Sequence, residues 1–414
     1  MSRRDQKLVA LPGANPSAKR PRDLRIDAFR GLALMAIFID HVPGNPYEQF
    51  TSRNFGFSDA AEGFFVMSGI AAGIAYSGRF LPDALRRDGW WTAISPIWHR
   101  AWTLYLVHLF LTVWAIAIFA WGAATFVLPD LYESINLRQV FDNTGAALAG
   151  IPALTHQLGY VNILPAYAVL LFVLPLILLA GLRSPWLVVG VSFGLWFAAG
   201  LFRLNLPNFP NPGGWFFNPF SWQFIFVVGL MTGMALRRGE RFVPKSPVLF
   251  WICAGWLVLV LAWMKIPVLG ETLNHGMAWL GSKGAPFHIV AHDKTFLSLP
   301  RLLHILALAY VLSSLSIVER FCASALAAPL RLMGRQGLLV FSTGTVLALF
   351  CQVVLAAGDK TDWLPWVLPP LGIAAMLAVA WMRERSGALA RARRKASRTP
   401  ARDSVSGGLA VPAE

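Results

Sequence analysis

Arg25-Ile-Asp27-Ala-Phe-Arg30-Gly31-Leu-Ala-Leu-Met-Ala-Ile-Phe-Ile-Asp40-His41 is the stretch that decides the fold. Its apolar centre lies in a segment, 26–42, near the length a membrane helix needs, roughly 20 residues. Working outward, nine more such segments follow: 57–76, 98–121, 163–182, 186–202, 221–236, 247–264, 302–318, 338–357 and 363–382. The fifth, sixth and eighth are short. Composition agrees. Of 414 residues, 56% are apolar and only 14% charged, well under the roughly 25% of a soluble protein. The expected fold is an all-α bundle of about ten transmembrane helices. Residues 26–382 form the membrane domain, between a basic tail at 1–25 and a basic, disordered tail at 383–414.

Charge placement sets the orientation. Cytoplasmic loops of membrane proteins carry the Lys/Arg excess. With the N-terminus inside, 27 of the 36 Lys and Arg residues lie on the inner side and eight on the outer side. The remaining one, Arg30, lies within the first span. Both termini are therefore expected in the cytoplasm. The net charge of +15 orients the chain and meets lipid headgroups. Nucleic acid is not an expected partner, because no aromatic residues interleave with the tail cations. Cys253, Cys322 and Cys351 have no disulfide or metal-ligand spacing, so no metal is expected. The outer loops are longer; 203–220 carries Trp215, Phe216, Phe217 and Phe220, expected to form an interfacial aromatic belt.

Ionisable groups inside spans are expensive and mark function by default. Arg30 and His41 are eleven residues apart, within about 20° of one helix face and about 16.5 Å along the axis. In the second span Asp59 and Glu62 also share a face. They enter at the depth of Asp40 and His41, gathering three carboxylates around one imidazole. That is apparatus for proton transfer. Gly63, Gly69 and Gly73 permit close helix approach. His108 and His304 read as core histidines. His156, Gln157, Tyr160 and Asn162 lead into the fourth span, either as a substrate mouth or as a capped helix start. His292, Asp293 and Lys294 precede Arg301 and His304, an outward cationic pair for an anion or for lipid phosphate. Arg335 and Gly337 open the ninth span from inside, where a phosphate can meet a helix N-terminus.

These motifs resemble a known family. The Arg30-x10-His41 spacing and Phe64-Phe65-x-x-Ser68-Gly69 are similar to the membrane acyltransferase-3 superfamily. Arg22-Asp-Leu-Arg-Ile-Asp-Ala-Phe-Arg-Gly31, Ile39-Asp40-His41-Val-Pro-Gly44 and Arg53-Asn-Phe-Gly-Phe-Ser-Asp59 resemble the OpgC family more closely. So do Ala60-Ala-Glu62, His292-Asp-Lys-Thr295 and Leu302-Leu-His304. The resemblance runs from about Arg22 to Met382. It implies an enzyme of the bacterial inner membrane that succinylates a periplasmic glucan, with succinyl-CoA as cytoplasmic co-substrate and no resident cofactor. It implies His41 as the catalytic imidazole, with Asp40, Asp59 and Glu62 orienting it or shaping the acceptor pocket. Arg30 is expected on the donor side, and Arg86, Arg87, Arg100 and Arg335 near the donor's nucleotide. The donor arm is expected to thread along the Arg30 face. Ser68, Asn162, Tyr167, His292, Asp293, Lys294 and Arg301 are the expected substrate contacts. The competing class is a multispan exporter of a glycan or acyl compound, which would favour internal repeats; none is evident.

Overall fold

The computed structural model describes residues 23–358 and 362–396. Residues 1–22, 359–361 (with Lys360) and 397–414 lie outside the described residues, and with them most of both tails. All regular elements described are helices. They are α1 (Leu24–Asp40), α2 (Ala60–Tyr76), α3 (Pro82–Phe126), α4 (Arg138–Asp142), α5 (Thr144–Gly150), α6 (Ile163–Arg183), α7 (Pro185–Leu201) and α8 (Pro219–Arg238). Then come α9 (Pro247–Lys265), α10 (Pro267–Ser282), α11 (Leu299–Ser314), α12 (Ser316–Ala323), α13 (Ala328–Arg335), α14 (Gly337–Ala357) and α15 (Leu364–Ala396).

Each predicted segment falls on a helix, but the crossings number fewer than ten by length. Among the described residues, seven helices are long and apolar enough to cross a membrane, or eight if α11 and α12 form one span. α1 and α7 have 17 residues each, about 26 Å at 1.5 Å per residue, short of the roughly 30 Å hydrocarbon core. The segment predicted at 302–318 is broken. Leu315 takes an extended conformation, and α12 leaves α11 at 77°. The segment at 98–121 sits within a 45-residue helix kinked at Gly89, whose φ of 79° favours glycine. The last span does not stop at Met382; α15 runs on to Ala396, into the region expected to be a disordered tail. The outer stretch 265–301 contains α10 rather than plain loop. Trp215 and Phe217 are buried, not belt residues; Phe217 packs against Phe65 and Trp222, with ring centroids 6.0 and 4.8 Å apart.

Small residues set the closest contacts. A Cβ at Gly69 would lie 2.1 Å from the Phe226 carbonyl oxygen, and one at Gly233 would lie 2.1 Å from that of Ile70. α2 and α8 therefore touch backbone to backbone through reciprocal glycines, the small-residue packing of membrane helices. Gly73 and Gly229 belong to the same seam. Gly63 does not, since a Cβ there meets nothing within 4 Å. Gly31 and Gly334 bring α1 equally close to α13. The α2–α8 pair forms the centre, and α9 lies at the periphery with almost no buried surface.

Candidate active site

His41 caps the C-terminal end of α1. Its Nδ1 is hydrogen-bonded to the Ile37 carbonyl oxygen one turn back. A carbonyl only accepts, so Nδ1 carries the proton and Nε2 keeps its lone pair. The ring meets Tyr160 edge-on at 4.3 Å between centroids. Gln352 on α14 donates to the His41 carbonyl oxygen at 2.9 Å, fixing the cap. A small cavity between α1, α14 and α15 adjoins the imidazole, lined by Leu34, Phe38, Phe341, Gly344, Thr345 and Met376. Arg30 looks toward α14 as well. Its Nη2 lies 3.0 Å from where a Cβ on Gly337 would stand, beside the start of that helix. The Arg30–His41 face predicted from spacing is thus real, and α14 covers it.

The carboxylates are arranged differently from the expectation. Asp40 turns to Thr51, whose hydroxyl lies 2.6 Å from Oδ1. Glu62, fully buried, pairs with Arg301 at 2.5 Å. Asp59 pairs with Lys294 at 2.5 Å and Arg301 at 3.2 Å. Asp59 also caps α2, accepting from the Ala61 amide at 2.9 Å. Glu62 accepts the Asp59 amide at 2.9 Å, which closes a capping box. The result is a four-member network of two cations and two carboxylates, neutral in sum. Among the described residues no carboxylate hydrogen-bonds to His41, so Asp40, Asp59 and Glu62 do not orient the imidazole directly. Arg301 and His304 are not an outward pair for an anion, because Arg301 is consumed inside the protein.

The same network draws distant strings of the sequence together. Ser58 lies 2.6 Å from Nδ1 of buried His304 through its hydroxyl and 3.3 Å through its amide. The amide can only donate, so Nδ1 is the acceptor. Gly56 lies flat on the same ring; a Cβ there would fall 2.0 Å from Nε2. Phe57 packs against His292 with ring centroids 4.3 Å apart and the rings tilted by 42°. Asp293 accepts the Phe296 amide at 2.7 Å and shapes the turn that delivers Lys294. Residues 53–59, 292–295 and 301–304 therefore form one cluster at the N-terminal end of α2.

The other expected contacts do not converge. Arg86 lies 3.9 Å from Asp83, and Arg87 pairs with Asp88 at 2.9 Å; both are exposed before the Gly89 kink. Arg100 is half-buried on α3. Arg335 pairs with Glu384 of α15 at 3.0 Å. Tyr167 sits in the core against Phe64 and Phe226, at 6.0 and 6.1 Å. Ser68 is buried on α2. Asn162 precedes α6 without capping it through its side chain. His108 is the expected core histidine, with Nδ1 3.2 Å from the Val161 carbonyl. His156 is buried in the connection between α5 and α6, and desolvation pushes its pKa below the ordinary imidazole value. Gln352 and Thr51 are site neighbours that the sequence did not single out, whereas Tyr160, expected at a substrate mouth or capped helix start, is the ring against His41. Gln352, a polar residue within an apolar span, carried the clearest signal.

Residues 22–388 match the family model described as OpgC protein. No curated protein matches the chain, and no solved structure matches it.

Proposed function

The chain belongs to the OpgC family, a membership that implies a transferase of glucan modification, and from that premise we propose a membrane O-acyltransferase with His41 as general base. The donor is a cytoplasmic acyl-CoA, with succinyl as the acyl group. The acceptor is a hydroxyl of a periplasmic glucan at the inner membrane. The observation that carries this reading is the state of His41. Its Nδ1 is committed to a backbone carbonyl, which leaves Nε2 as a proton acceptor at the outer end of α1.

The imidazole then takes the proton of the sugar hydroxyl as its oxygen attacks the thioester carbonyl. Positioning both substrates at one base supplies much of the rate. The carbon–sulfur bond breaks, the imidazolium returns the proton to the thiolate, and the new ester stays on the sugar. Arg30, beside the start of α14, meets the anionic part of the donor. α14 closes over the Arg30–His41 face, so the donor arm needs α14 to move or must approach along another face. Asp59 and Glu62 act as positioning residues that hold the outer end of α2.

Mass spectrometry of periplasmic glycans from wild-type and deletion strains tests this. Loss of a succinyl increment supports donor and acceptor together. Unchanged modification with altered glycan export favours the exporter.

A further inference from the structure

On the side of α1 away from Arg30 and His41 lies a cleft of about 1010 Å³, between α1, α2, α8, α9 and α11. Its wall on α1 runs from Arg25 to Ile39, about 21 Å at 1.5 Å per residue. Most of the lining is hydrocarbon. Leu32, Ile252 and Leu303 line it and remain substantially exposed, so the cleft opens sideways. Such a surface at membrane depth excludes a hydrophilic occupant.

The two ends differ in charge. At the outer end Asp59 is already neutralised by Lys294 and Arg301. At the inner end Arg25 and Arg241 both line the cleft and converge on the Ser313 carbonyl oxygen, at 3.4 and 3.1 Å. Arg241 also donates to the Ser313 hydroxyl at 3.1 Å. Arg25 is paired with Asp23 at 2.7 Å. Arg241 is exposed and makes no ion pair among the described residues. A cationic mouth thus stands at the inner end of a hydrocarbon-lined slot. Basic pockets between helices on the cytoplasmic side are suited to anionic headgroups, and a guanidinium meets phosphate with directed, charge-assisted hydrogen bonds.

We propose that this cleft binds an anionic phospholipid of the inner leaflet, its phosphate on Arg241 and Arg25 and a hydrocarbon chain lying along α1. The site is independent of the chemistry assigned to His41. It makes the lipid a filler of the bundle, joining α1 and α2 to the peripheral α9–α11 pair.

Cys253 on α9 lines the cleft, whereas Cys322 and Cys351 are buried, so a lipid-soluble maleimide reports on occupancy at one position. The full chain is placed in nanodiscs of phosphatidylcholine alone or with added phosphatidylglycerol, and the labelling rate is measured. Phosphatidylglycerol is expected to slow labelling several-fold in the wild type and in Arg241→Lys, and to have no effect in Arg241→Gln. Gly63 also lines the cleft, and a Cβ there meets nothing within 4 Å. Gly63→Leu is therefore expected to fold normally and to weaken the lipid's protection of Cys253. Equal labelling in both lipids, or equal protection in Arg241→Gln, overturns the proposal. Protection by acyl-CoA in phosphatidylcholine without an effect of phosphatidylglycerol also overturns it, and assigns the cleft to the donor.

Discussion

Two polar clusters stand near the C-terminal end of α1 and the start of α2, and they are opposite in kind. The Asp59–Glu62–Lys294–Arg301 network balances its charges and commits its carboxylates to partners 2.5–3.2 Å away. His41 commits one nitrogen to a backbone carbonyl and keeps the other. The difference teaches how to sort ionisable groups in a membrane bundle. Those satisfied by one another hold helices in place. A group with spare capacity, set beside a cavity, can do chemistry.

The largest effect on stability belongs to the network. Arg301→Ala strands Glu62, which is fully buried, and should destabilise the protein by about 3–5 kcal/mol. Thermal unfolding in detergent measures it, with Arg301→Lys recovering part of the loss. An unchanged midpoint would mean the network is decorative and the comparison fails. Next comes the glycine seam. Gly69→Ala forces a methyl against the Phe226 carbonyl, and overpacking of this sort costs about 1–3 kcal/mol. Gly63→Ala, with open space around it, should shift stability by less than about 0.5 kcal/mol.

His304→Phe should cost about 1 kcal/mol, the net worth of a hydrogen bond, because it leaves Ser58 without its acceptor. Unfolding of this variant beside Ser58→Ala separates loss of the bond from loss of the ring. The smallest effect is expected from His156. Its pKa is lower in the folded state than in the unfolded chain. Unfolding therefore takes up a proton, and stability falls as pH drops below about 6.5. His156→Gln should flatten that part of the pH–stability curve; an identical slope would show that another group titrates there.

Much of the bundle was readable in the chain. Nine of the ten apolar segments lie on a single helix, because hydrophobic length is dictated locally, and 302–318 is split between two. The shared face of Arg30 and His41 follows from helix period, and the Gly69–Gly73 seam from residue size. The partners of Asp59 and Glu62 were not readable from spacing. Lys294 and Arg301 lie more than 230 residues away, and the capping box turns Glu62 back toward its own helix start. Three carboxylates at one depth looked like a set around His41. Depth fixes one coordinate, and the position of α11 fixes the others. The break at Leu315 was hidden as well, since a residue of ordinary apolar character adopts it. The open face of α1 depends on where α9 and α11 settle, which no local pattern states.

The proposed division of labour makes His41 the base and the neighbouring carboxylates scaffolding. It is tested by acyl transfer from labelled acyl-CoA to a glucan acceptor in proteoliposomes, comparing wild type and His41→Gln at matched, folded protein. His41→Gln is expected to lose about 100-fold or more of the transfer rate with an unchanged thermal midpoint. Transfer at the wild-type rate by His41→Gln would rule out His41 as the base.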